Sequence, residues 1–470
     1  MEYKEYMDSL GEQIHNPRAR RMVLQEIRGH IEEQCGSYEQ QGMSHEAAMA
    51  EAVRQMGDPV ETGAELNRIH RPRLPLGLIG LVLLLTAVGI LMQWNIFSGF
   101  AGSPAWGDAW RSYERNTILF NLIGLAVMLG IMYLDYSFIG RHARLWYVLF
   151  MGCILGVGLC GFNHVQAIRM QYYVISLYPI VLSGLIYHNR KKGGKGLLCC
   201  MALTLAVLAC GAFSGYMSSA CLEILLISGI LLLIAVGKNI FGGRRLWQGL
   251  ILAGTALLGL LAGILYLTAA GSSGFNRYQA ARLSYFLHPE EAASGAGYMA
   301  VQQRQLLENY TLWGTYRLPE HLLTESGSAA EGVSLSSTYV LTAIFSWFGI
   351  AAGVLVIGAL LFFAGRALWV SLRQRNRLGL LLGTACGLSL LVHSLAFIAI
   401  NGGYALYYTT GIPFLAYGLG YALTNALQVG LLLCVCRNSA ILGEETEQPS
   451  GVRFGKYRYR LRMEKVQANG

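Results

Sequence analysis

The chain is 470 residues long, 54% hydrophobic and 13% charged, with 57 glycines and a formal net charge of +9. Its mean hydropathy of +0.42 excludes a soluble globular domain, because so few charges cannot cover that much apolar surface. The basic residues gather in short loops between apolar runs, a pattern of membrane topology rather than of nucleic-acid binding.

Residues 1–70 are polar and carry no secretory signal. They read as a small three-helix domain. Asn16-Pro17 opens a helix with a cap and a proline at its first position. Val23, Ile27 and Ile31 then form an apolar stripe, and Gly42 stops it. Ser44 caps a second helix whose apolar face is Ala48, Ala52 and Met56. Asp58-Pro59-Val60-Glu61 opens a third. His30 and Glu33 lie one turn apart, which a solvated helix face explains.

Ten apolar runs follow, near 74–94, 116–138, 145–164, 172–188, 196–213, 219–237, 246–269, 338–364, 378–400 and 413–436. Each approaches the roughly 20 residues needed to cross a bilayer. The fold class is therefore all-α: a polytopic membrane protein of about ten spans behind a cytoplasmic three-helix domain. One set of loops carries Arg141 and Arg144, then Arg190 to Lys195, then Lys238 to Arg245, then Arg366 to Arg377; the other short loops carry Arg111, Arg115 and Arg169. That bias predicts both termini in the cytoplasm. It also predicts that 271–337 is the one long extracellular segment. The basic tail, 437–470, is then cytoplasmic. The cysteines lie in apolar runs or, for Cys35, in the polar head, so they read as small buried residues rather than as a disulfide or zinc framework. Glu223 and His393 are ionisable groups inside spans and so draw attention. Glu223 lies near enough to a span end to reach water. His393 reads as a packing residue or, less readily, a proton relay.

Three stretches carry a resemblance. "RYQAARLSYFLHPEEAASGAGYMAVQQRQLL" (277–307), "LPEHL" (318–322) and "TTGIPFLAYGLGYALTNALQVGLLL" (409–433) are similar to the external segment and last span of the SEDS family, which includes the cell-cycle and cell-shape proteins RodA, FtsW and SpoVE. The similarity is weaker over 74–270. The stretch "IRGHIEEQCGSYEQQGMSHEAAMAEAVRQMGDP" resembles the HAAS, or permease-prefix, domains found ahead of some bacterial membrane proteins, and implies a docking or regulatory module over residues 1–70. In the last span, Gly411, Gly418 and Gly420 leave room for a neighbouring helix, and Pro413 needs no backbone donor at the span end. Tyr417 and Asn425 are polar and should face protein or a cavity.

The resemblance implies a bacterial plasma-membrane protein of 74–436 that handles a lipid-linked cell-wall precursor, with a class B penicillin-binding protein as partner. Arg282, which follows the family motif, would hold a pyrophosphate; Arg304, outside the motif but basic and external, is a further candidate for the same role. Tyr298, Gln302, Glu320 and Tyr417 would line the substrate site. The family's essential carboxylate is an Asp in a Thr-Asp-Phe at the mouth of the next span. Counting back from "FSWFGIAAG" puts Thr338 there; counting forward from "LPEH" puts Thr324-Glu325 close to it. Glu325 is thus the candidate general base. If the chain is catalytic, a divalent cation such as Mg or Mn is the implied cofactor. The family's Gln-Pro-Ser-Glu and Gln-Pro-Asp-Leu-Gly-Thr-Ala appear in altered form, as "MQYYVIS" (170–176) and "YMSSACL" (216–222). Two readings stay open: a divergent polymerase of lipid II glycan strands, or a non-catalytic relative that scaffolds or regulates a synthase. A lipid-precursor transporter ranks below both.

Overall fold

The structure is a computed structural model that describes residues 2–69, 72, 74–98, 109–159, 164–213, 218–269, 288, 298–314, 338–404 and 413–439. The chain divides into two compact units, the first containing Met1–Arg71 and the second Pro72–Ser439.

The first unit holds α1 (Tyr3–Glu12), α2 (Pro17–Glu39), α3 (His45–Gln55) and α4 (Pro59–Ile69). Three of these start where the sequence places caps. Asn16 Oδ1 accepts from Ala19 N at 3.3 Å, Ser44 Oγ from Ala47 N at 3.5 Å, and Asp58 Oδ1 from Val60 N at 2.7 Å. The three-helix expectation falls one helix short. α1 has no side-chain cap at Glu2, so it lacks the usual start signal, but Tyr6, Met7 and Leu10 bury it against the Val23–Ile27–Ile31 stripe of α2 and Ala48 and Ala52 of α3.

The second unit is helical throughout its described elements. It runs α5 (Leu76–Ser98), α6 (Ala109–Met132), α7 (Ser137–Arg141), α8 (Ala143–Leu159), α9 (His164–Ile175), α10 (Tyr178–His188), α11 (Gly193–Phe213), α12 (Ser218–Gly237), α13 (Arg245–Ala269), α14 (Tyr298–Asn309), α15 (Val340–Leu372), α16 (Arg377–Asn401) and α17 (Leu419–Arg437). Every apolar run of the sequence carries a helix. Among the described residues, seven stretches are long and apolar enough to cross a membrane, and two shorter apolar helices cover Ala143–Val157 and Cys221–Gly237. The chain is a multi-pass membrane protein.

α16 is the axle of this unit. Its Cys386, Leu390 and Phe397 belong to a core shared with α5, α6, α15 and α17. Its Leu380, Leu381 and Ala385 belong to a second core, built from α8–α13. α15 begins and α16 finishes at one end of the bundle, where Asn401 bonds to Thr338 and Thr342, called the loop end below.

Two irregularities interrupt the spans. Gly349 (φ 84°, ψ 173°) breaks α15, and the backbone groups freed there find partners outside the helix. Ile350 N donates to Thr311 O at 3.0 Å and Ala351 N to Leu312 O at 3.2 Å. A side chain at 349 would bring its Cβ to 2.7 Å from Leu312 O, so glycine is required twice over, by φ and by space. The last apolar run begins at 413, yet α17 begins at Leu419. Phe414 (φ 68°) and Gly418 (φ 136°) are themselves left-handed and bound the irregular stretch between them. Irregular backbone in a membrane needs protein partners, and Gln93 on α5 supplies one, donating from Nε2 to Leu415 O at 2.5 Å.

Candidate functional site

Sequence reasoning expects the site at the loop end. Arg282, Glu320, Glu325 and Gly411 lie outside the described residues. Tyr298 begins α14. Gln302 and Arg304 follow on the same helix and are half-buried. The Arg304 guanidinium lies 5.0 Å from the centre of the Tyr404 ring, a cation–π arrangement. Gly403 brings the backbone against the stem of the same arginine.

α14 is docked by its neighbour in sequence, Gln303, which the sequence did not single out. Thr342 Oγ1 donates to Gln303 Oε1 at 2.5 Å. Asn401 Oδ1 lies 3.0 Å from the same hydroxyl and accepts from Thr342 N at 3.1 Å. Asn401 Nδ2 donates to Thr338 O at 3.0 Å. Tyr310 completes the dock, donating to Thr342 O at 3.4 Å and stacking on Phe345 at 5.7 Å. Three elements, α14, α15 and α16, are thus tied by neutral amides and hydroxyls. Thr338 sits at the mouth of α15, the position where the ungapped count looks for a carboxylate, and contributes its backbone to this tie. Among the described residues, the loop end gathers no trio of metal-ligating side chains.

Tyr417 packs among aromatic rings, 5.1 Å from Phe97, 5.4 Å from Tyr113 and 5.7 Å from Phe120. Pro413 and Asn425 line a narrow crevice with Tyr173 and Tyr421, which has room for about one water. The Tyr173 ring fills the space opposite Gly420, where a Cβ would overlap the ring well inside van der Waals contact. That explains the glycine better than helix-on-helix approach does.

A second polar cluster, not foreseen as a unit, joins α9, α12 and α16. Tyr172 donates from its hydroxyl to Glu223 Oε2 at 2.7 Å, and His393 Nε2 lies 3.3 Å from the same oxygen. Glu223 is 4% exposed, which overturns the expectation that it reaches water. His393 Nδ1 lies 2.5 Å from Ser389 O. A carbonyl only accepts, so Nδ1 carries a hydrogen. The Nε2–Oε2 contact then needs one further proton, on the imidazole or on the carboxyl. Either placement leaves the pair neutral overall, which is how ionisable groups survive among spans. Glu223 Oε1 has no hydrogen-bond partner among the described residues. It borders a cavity of about 10 Å³, water-sized and lined also by Pro179 and Ile227. The cluster therefore holds a proton and ties three helices; it has no room for a sugar. Sequence spacing gave no hint of it, since a hydrogen bond spanning 51 residues leaves no periodic trace.

No protein-family model matches the chain. It is 30% identical over 192 residues to a probable peptidoglycan glycosyltransferase FtsW of Synechocystis sp., covering 40% of this chain and 45% of the relative. A second probable FtsW, of Idiomarina loihiensis, is 25% identical over 220 residues, 46% of this chain and 50% of the relative. The chain spans about half the length of the curated relatives it matches. Among solved structures, a chain from work on polymerization and crosslinking by a peptidoglycan synthase complex shares the fold, with a TM-score of 0.57 and 14% identity over 78% of this chain and 98% of that one. Over about half its length the chain is thus similar to FtsW proteins of the SEDS family, and it shares a helical fold with a chain of a peptidoglycan synthase complex.

Proposed function

We propose that the chain is a bacterial plasma-membrane protein of cell-wall biogenesis that polymerises a lipid-linked disaccharide precursor at the loop end. The reading rests on the two FtsW relatives, and the observation that carries it to this site is α14, docked with Arg304 beside the span mouths. Both termini face the cytoplasm and 271–337 faces outward, supported by the charge bias of the loops. Arg282 and Arg304 hold the pyrophosphate as bidentate donors. Glu325 removes the proton from the attacking hydroxyl. The partner is a cross-linking synthase, a class B penicillin-binding protein. The head acts as a docking or regulatory module.

A polymerisation assay on the purified full chain tests this. Glycan product from the wild type, lowered by about a hundredfold or more in Glu325→Gln, supports it. A second reading, a non-catalytic scaffold, is favoured by Thr338, a threonine whose backbone is committed to Asn401. Absence of product from the wild type, with synthase binding retained, selects the scaffold.

A further inference from the structure

The last turn of α2 and the first residue of α3 bring three chemically different ligand atoms together. Cys35 Sγ lies 4.0 Å from Glu39 Oε1 and 3.9 Å from His45 Nδ1. His45 Nδ1 and Glu39 Oε1 are 2.5 Å apart. All three atoms fall within 4.8 Å of one another. Local structure dictates this meeting. Cys35 and Glu39 are one helical turn apart and share a face. Gly42, with φ 94°, reverses the chain after α2, and Ser44 starts α3 so that His45 points back to that face. Cys35 is buried in the head core at 3% exposure, whereas the His45 and Glu39 side chains are 71% and 42% exposed.

We propose that Cys35, Glu39 and His45 form a site for a zinc-like divalent transition-metal ion, with a fourth position open to water. A thiolate, an imidazole and a carboxylate are the donors such an ion takes, and they do not suit magnesium or calcium. Geometry supports the fit. A tetrahedral ion at ordinary bond lengths places its ligand atoms about 3.4–3.6 Å apart. The two sulfur distances need to close by only a few tenths of an ångström. The His45–Glu39 contact opens by about 1 Å, within reach of two exposed side chains that change rotamer. Binding exchanges the Cys35 thiol proton and the His45–Glu39 hydrogen bond for three metal bonds. The ion then clips the end of α2 to the start of α3, so the head's helix–helix geometry depends on metal. The site stands apart from the wall-building reading and survives its failure.

The test is a cobalt(II) titration of the full chain in detergent micelles, followed by zinc(II) competition. Expected is a thiolate-to-cobalt charge-transfer band with tetrahedral d–d bands, saturating at a single equivalent and erased by zinc. Cys35→Ser removes the charge-transfer band. His45→Gln changes an exposed residue and leaves the far-ultraviolet circular dichroism intact, yet also loses tetrahedral binding. No band in the wild type, or a band that survives His45→Gln, overturns the proposal.

Discussion

Two histidine–carboxylate pairs in this chain differ in the opposite sense from what their lengths suggest. In the head, His45 and Glu39 lie 2.5 Å apart with side chains 71% and 42% exposed. In the membrane unit, His393 and Glu223 lie 3.3 Å apart with side chains 10% and 4% exposed. Water screens the shorter pair and competes for its hydrogen bonds, so it contributes little. The longer pair has a Tyr172 hydroxyl and a backbone carbonyl as its other described partners. Losing one member strands the other, so the longer contact is the more expensive one to break. Burial, more than distance, sets what a pair is worth, and it also sets what each is free to do. The exposed pair has slack to admit an ion; the buried pair does not.

The sharpest way to break this comparison is His393→Leu. It leaves Glu223 among spans with one partner fewer, and the loss is about 3–5 kcal/mol, read as a fall in unfolding midpoint in detergent. Adding Glu223→Gln recovers more than half of it, because the amide needs no counter-charge and still accepts from Tyr172. A single variant as stable as the wild type removes the coupling on which the argument rests. Next in size is Gly349→Ala, which combines a left-handed φ with a Cβ 2.7 Å from Leu312 O. The expected cost is about 1–3 kcal/mol, together with faster proteolysis around α14 as the 311–312 carbonyls leave the kink. Unchanged proteolysis would mean that α14 is held by Gln303 and Tyr310 without the kink. The smallest effect belongs to the exposed pair. Without metal, Glu39→Gln changes stability by less than about 1 kcal/mol; a larger loss would show that exposure understates that contact.

Much of the architecture was legible from hydropathy, because a span must be apolar along its length whatever it packs against. The helix starts at Asn16, Ser44 and Asp58 were legible too, since capping is local chemistry. α1 was not, for want of a cap at Glu2. The late start of α17 was also hidden. Residues 413–418 are as apolar as a helix, and their left-handed turns at Phe414 and Gly418 depend on Gln93 from a distant span. Of the candidate site, the sequence indicated the 277–307 stretch through a family pattern, and Arg304 only as an external basic residue able to hold a pyrophosphate. It did not indicate Gln303, Thr342 and Asn401, whose pairing is decided by packing. Glu223 and His393 stood out singly because charges in spans are rare, while their union with Tyr172 exists only in three dimensions.

The wall-building account depends most directly on which way the loop end faces. Ser328→Cys and Ser37→Cys, each compared with the wild-type background, are exposed in intact cells to a membrane-impermeant thiol reagent. The account predicts labelling above background at 328 and none at 37 until the cells are opened. Labelling at 37 with protection at 328 would contradict it, since the docked helix and its arginine would then face away from the compartment where the wall is assembled.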